Sequence, residues 1–511
     1  MKKTFLLLFI GLFLVPSFGF TGQAIGASSI VVVIDTPPRT MNPHGSDADS
    51  NLSVMANFFD GLFQLKGAEG TLAPALAERY EHPDLLTWKF YLRKGVKFHN
   101  GNPFTAEDVK FTFERLTNPE VSEFINTGKN IASIDIVDDY TVVIKTKQPI
   151  PWFAIGLHLI FIMDKESTEA RDPGEVGQKP IGTGAYKFVE WVKGSYLKME
   201  ANGDYWEGPP PIKSVDLRPI KESSTRFAAL VSGKAELASG VPVELYEKVF
   251  QNPKLEVISR PARRAIFLTL GNKPGSPASN ILVRRAMYMA INEDEIIEKI
   301  MRGHASPAAQ IVDPPTIGYN PDLKRLPYNP VMARKLLKEA GYENGFEITL
   351  AGPNDRYVQD EKIAEAVVKY LAKVGIKAKL DVKPKSLFFN ELSKKKHDFF
   401  LIGWFDGTYD AGRTFSKRIH TYEPDTGYGV WNGALFSDPT IDVLMEITTG
   451  LVDKEKRLQI LQDLNKIVMT DKIAFIPLHY QQDLYAIQKD KGIRFKPRPD
   501  RWIVFKEISK Q

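Results

Sequence analysis

The chain has 511 residues, 43% apolar and 25% charged, the balance of a folded globular protein with room for about three cores. Its net charge of +5 is too small at this size to argue for a nucleic-acid partner. It contains no cysteine, which excludes disulfides and a cysteine-linked lipid anchor.

Met1-Lys2-Lys3 and the apolar run Phe5 to Val15 form a charged n-region and an h-region of signal-peptide length, too short for a comfortable membrane span. Gly22-Gln23-Ala24 supplies small residues for cleavage, and Ala27 is a second possible end. We expect a leader over residues 1–27. Its loss would leave 65 basic against 62 acidic side chains, a net +3. No later segment has the roughly 18 uninterrupted apolar residues of a membrane helix.

Ile30-Val31-Val32-Val33-Ile34 reads as a buried strand. Trp88, Phe90 and Leu92 alternate with Lys89 and Tyr91, which predicts a half-buried strand. Asn100-Gly101 signals a turn, and Thr105 with Asp108 three residues later resembles a capping box for a helix carrying Val109, Phe111, Phe113 and Leu116. Val142-Val143-Ile144 is another β-rich piece. The glycines in Pro180-Ile181-Gly182-Thr183-Gly184 lack the third glycine and following helix of a phosphate loop, and read as a structural turn into a strand. Thr225 to Val231 is a short helix stopped by Gly233.

The second half is more regular. Asn292-Glu293-Asp294-Glu295 caps a helix with Ile296, Ile297, Ile300 and Met301 on one face, ended by Gly303. Asn329-Pro330 opens another helix that Gly341 closes. A strand at Phe346–Leu350, an amphipathic helix over Asp360–Lys373 and a strand at Ile376–Val382 predict a βαβ unit with a parallel strand pair. Lys394-Lys395-Lys396 has the look of a solvated helix end. Phe399-Phe400-Leu401-Ile402 is a buried strand that changes abruptly into the glycine-rich, charged segment Gly403 to Arg413. Polar groups at a strand end are a common site location in α/β folds.

The wording from Leu72 to Leu116 resembles the extracytoplasmic solute-binding proteins of peptide and nickel ABC importers, family 5. So do Asn42-Pro43, Gly182-Thr183-Gly184, Asn202 to Trp206, Arg284-Arg285-Ala286, Gly403-Trp404 and Arg498-Pro499-Asp500-Arg501. The resemblance covers the mature chain. It implies an α/β, two-lobed periplasmic binding protein of class II type with an inserted subdomain and two inter-lobe crossings. Lobe I would take 28–263 and 484–511, with the insertion at about 60–180, and lobe II would take 264–483. The crossings are expected near Arg260–Leu268 and His479–Ala486.

The implied function is a periplasmic receptor of an ABC importer. It would be a monomer without a cofactor that closes its lobes on a small solute, a peptide or peptide-like compound, and presents it to the permease subunits. Alternatives within the class are a sugar, an opine or a nickel chelate. The candidate ligand residues are Asp47 in lobe I and, in lobe II, Arg356, Tyr357, Trp404, Asp406, Asp410, Arg413, Trp431 and Asn432. Trp404 offers a flat wall and an N–H donor, the aspartates suit a cation, and the arginines suit an anion. In peptide-binding relatives an aspartate three residues after the tryptophan pairs with the peptide amine. Here that position is Gly407, and Asp406 stands one residue early. The two aspartates also suit plain Asx turns, and Arg413 a surface salt bridge.

The eight histidines are scattered without a close ligand pair, so no direct metal cage is expected. There is no G-x-S-x-G, H-E-x-x-H or Walker A sequence, which leaves a hydrolase as the weaker class.

Overall fold

The computed structural model describes residues 29–451 and 453–511; the expected leader lies outside them. An eleven-stranded sheet runs through the molecule. From one edge it passes through Lys377–Lys383, Glu347–Pro353 and Phe399–Trp404 to the long strands Leu255–Leu270 and Phe475–Gln488. It continues through Leu237–Ser239, Ser29–Ile34, Ser214–Pro219 and Tyr196–Ala201 to Tyr186–Val192. Glu347–Pro353 and Lys377–Lys383 pair in parallel around the helix Asp360–Ala372, as the βαβ reading expects.

The two long strands carry the chain between separate cores. One core gathers buried side chains from Ala265 to Tyr480. A second lies under Ile30, Val32, Leu217 and Trp502, with a small satellite around Val33 and Leu255. A third fills the four-stranded sheet that contains Thr87–Leu92, from Leu62 to Ile162. In that strand Trp88, Phe90 and Leu92 are buried and their neighbours are half-exposed. Thr105 and Asp108 close a full capping box on the helix Ala106–Arg115.

The long strands pair antiparallel from Leu255↔Gln488 to Pro261↔Gln482, and again from Ala265↔Tyr480. Between these stretches the register shifts at Pro261, Ala262, Arg263 and Arg264. Such a bulge bends the strand and re-aims its side chains. Arg263 turns to Asp313, with Nη2 2.9 Å from Oδ1, and Arg264 turns to Asp49, with Nη2 2.9 Å from Oδ2.

Two readings need correction. The helix expected after Asn292 is α-helical only over Glu293–Glu295. Residues Ile296–Ile300 form a π-turn, with Met301 N–H donating to Ile296 O at 3.1 Å. Apolar spacing alone does not distinguish the two windings. The segment taken as a loop through Arg413 is already a helix at Ala411, because Asp410 caps it by accepting from Gly412 N–H at 2.8 Å. The Gly182-Thr183-Gly184 turn is structural: a Cβ at either glycine would collide with the backbone of Phe58.

Candidate functional site

The strand Phe399–Trp404 delivers Trp404 to its C-terminal end, beside Ala265 of the crossing strand. Trp404 is partly buried, and its Nε1–H donates to Thr414 Oγ1 at 3.2 Å. Its ring lies 6.4 Å from that of Trp431, which is 48% exposed. Tyr357 joins this wall, its hydroxyl donating to Gly403 O at 3.1 Å. Asp360 Oδ2 accepts from the N–H groups of Arg356 and Tyr357 at 2.9 Å and so fixes the turn. The Arg356 side chain is left exposed, with Cζ 5.6 Å from the Tyr357 ring centroid. The structure therefore brings sequence-predicted Arg356, Tyr357, Trp404 and Trp431 together.

Asp406 is buried and already paired. It accepts from Thr408 N–H at 2.8 Å, Thr408 Oγ1 at 2.6 Å and Thr414 Oγ1 at 3.2 Å, and Arg413 Nη1 lies 3.0 Å from Oδ2. A cationic ligand would have to displace Arg413. Asp410 is buried at the helix cap and holds Arg457 through two contacts of 2.8 Å. Asn432 bonds His420 O at 3.0 Å and the backbone of Phe436 at 2.7 and 3.0 Å. The polar atoms of Asp410 and Asn432 are engaged internally. Asn and Asp in loops satisfy backbone groups as readily as ligands, and sequence does not separate the uses.

Asp47 is exposed, and its N–H donates to Glu123 Oε2 at 2.8 Å. Protein atoms crowding the carboxyl first, and then the hydrogen bond and charge of Glu123, push it up to about 6.

Between the lobes lies a group of charges absent from the sequence-based set. Arg501 Nε is 2.9 Å from Asp483 Oδ1, and Arg264 holds Asp49. Burial raises the Asp483 carboxyl against the pull of Arg501 and Arg264. Burial also lowers the Arg264 guanidinium, and the charges of Arg501 and Arg356 act in the same direction. The geometry thus sets two guanidiniums against two carboxylates, Arg264 on Asp49 and Arg501 on Asp483. The available signal was charge in the middle of the crossing strands, Arg264 and Asp483, together with Arg501 in the terminal motif.

The lobes also touch. Arg263 Nη1 donates to Asp406 O at 3.1 Å, Lys362 lies 3.6 Å from Glu244, and Gln359 bonds Glu244. A Cβ on Gly407 would be 3.5 Å from Leu159 and 3.9 Å from His158. The position of the absent aspartate thus lies against Leu159 and His158.

The profile of "Bacterial extracellular solute-binding proteins, family 5 Middle" matches residues 71–422. The chain belongs to family 5. This family 5 protein is 30% identical over 477 residues to the glutathione-binding protein GsiB of Salmonella paratyphi A, covering 91% of this chain and 92% of that one. Among solved structures, the periplasmic binding protein DppA of Helicobacter pylori in complex with the peptide STSA matches with a TM-score of 0.81. It is 26% identical, with 94% of this chain and 98% of that one covered. NikZ of Campylobacter jejuni in complex with Ni(L-His) shares the fold at a TM-score of 0.80, with 23% identity and coverage of 95% and 100%.

Among the described residues two groups set one histidine with carboxylates at metal-ligand spacing: His397 with Asp381 and Glu391, and His420 with Glu423 and Glu446. Glu391 is engaged by Lys383 at 2.8 Å, and His420 by Glu446 at 3.2 Å. No described helix is long and apolar enough to cross a membrane.

Proposed function

We propose that this protein is the periplasmic receptor of an ABC importer, closing on a zwitterionic peptide or peptide-like solute and releasing it to the permease. The observation that carries this reading is the inter-lobe charge group beside the Tyr357–Trp404–Trp431 wall. A zwitterion brings one charge of each sign, and guanidiniums and carboxylates already face each other there. Arg356 is the arm for the ligand's anionic end, Asp47 with Asp49 offers the lobe I acid, and the aromatic wall takes the apolar body. Asp406 and Arg413 frame the wall as a pair. Peptide and glutathione binding by relatives supports the solute class.

Lobe I takes 28–263 and 484–511, and lobe II takes 264–483, with the bulge at Pro261–Arg264 as the joint. The protein acts as a monomer and performs no covalent chemistry on its ligand.

Thermal-shift and calorimetric titration with glutathione, di- to pentapeptides, sugars, opines and nickel chelates tests the reading. A peptide at 100 times its Kd stabilises the closed form by about 2.7 kcal/mol. A response to sugars alone would remove the peptide assignment.

A further inference from the structure

Arg418 ends the helix Ala411–Arg418 and is 2% exposed. No carboxylate pairs with it among the described residues, and its Nε is buried without a hydrogen-bond partner. Its guanidinium carbon lies 4.9 Å from the Trp404 ring centroid and 5.5 Å from that of Phe267. Aromatic faces attract a cation but do not replace the hydration it loses on burial. Two further cations share the region. Lys395 Nζ donates to Val430 O at 2.7 Å, next to exposed Trp431, and Lys417 Nζ donates to Gly427 O at 2.9 Å. Both ammoniums contact carbonyls rather than carboxylates, and burial together with Arg418 or Arg413 pulls each down to about 8. The wall thus sets one buried guanidinium without a carboxylate beside two half-buried ammoniums, which is costly unless something negative arrives.

We infer that Arg418 is an anion subsite behind Trp404, receiving a carboxylate of the ligand between Trp404 and Trp431. This inference rests on the peptide-receptor reading and extends it. The ligand would carry a second carboxylate beyond the one Arg356 takes, as a peptide with an acidic side chain or a γ-linked glutamate does.

The test uses reduced glutathione and its diethyl ester on the wild type, Arg418→Met and Arg418→Lys, by calorimetry and thermal melting. A buried cation held in reserve for a ligand predicts that ligand-free Arg418→Met melts no lower than the wild type. It should bind glutathione at least 30-fold more weakly and lose less affinity on esterification than the wild type does, since only the Arg356 contact is left to lose, whereas Arg418→Lys retains part of the affinity. Binding by Arg418→Met within threefold of the wild type, or equal binding of acid and ester by the wild type, would overturn the inference. If the wild type binds no peptide, the peptide reading falls and carboxylate-bearing opines and dicarboxylic acids become the probes. A response to one of these that Arg418→Met loses sustains the subsite, and a response to no carboxylate-bearing solute overturns it.

Discussion

Asp406 and Asp410 are four residues apart and hold different arginines. Asp406 keeps Arg413 at the rim of the aromatic wall, and Asp410 ties the helix cap to Arg457. The second pair is almost fully buried on both sides, with side chains 8% and 3% exposed. Removing one partner strands the other charge away from water. Asp410→Ala should lower stability by about 3–5 kcal/mol in urea unfolding, with the loss in the fold rather than in ligand contacts. Asp406→Ala frees Arg413 and leaves three donors without an acceptor, so it should destabilise by about 2 kcal/mol. The same variant separates two roles: an amine-binding Asp406 predicts loss of peptide affinity beyond what the fold loses, and a scaffolding one predicts affinity that recovers at low temperature. The residue types in Gly403–Arg413 pointed to this region from sequence alone. Their division between scaffold and contact was not legible, because a carboxylate satisfying Arg457 has the same letter as one facing solvent. The charged residues Arg264, Asp483 and Arg501 come from two distant parts of the chain, its middle and its end. Only the fold brings them together.

At the scale of elements, local rules carried much of the reading. The Thr105–Asp108 capping box, the Asn329-Pro330 helix start and the parallel pair around Asp360–Ala372 all follow from short-range spacing. Thr105→Ala should cost about 1 kcal/mol by the loss of one cap, measured by urea unfolding, and leave ligand affinity unchanged because the cap lies in the third core. The π-turn at Ile296–Ile300 was not legible, since the apolar spacing of so short a run suits either winding. Gly407 shows how a local departure has a non-local cause. A side chain there enters the contact with Leu159 and His158, and His158 is buried and held neutral, down to about 4, chiefly by burial. Gly407→Asp should therefore weaken lobe closure. Small-angle scattering at saturating ligand would read it as a larger radius of gyration than the wild type.

For the whole molecule, histidines held neutral and carboxylates held protonated pull the response to acid in opposite directions. Burial holds His44 and His479 down at about 3, and His99 and His158 down at about 4. In the unfolded chain these rings titrate near 6.5, so below that value the unfolded state binds more protons and stability falls with pH. Each histidine removes about 1.4 kcal/mol per pH unit from about 6.5 down to its own folded value. Raised carboxylates act in the opposite sense: Asp47, pushed up to about 6, Glu293, pushed up to about 8, and Asp108, Asp360 and Asp483, each raised chiefly by burial. His479→Gln, uncharged at every pH, should therefore lose less stability than the wild type between pH 6.5 and 4, by about 1.4 kcal/mol per pH unit in urea unfolding, if it folds.

The register break at Pro261–Arg264 also constrains movement. On either side of it the two crossing strands pair with each other in the middle of one sheet, with Phe399–Trp404 on the outer side of one and Leu237–Ser239 on the outer side of the other. A joint made of two bonded ribbons bends across its width and resists torsion, as a strap hinge does. The lobes are then left with a single swinging coordinate, so distance pairs labelled across the cleft should all report the same opening angle.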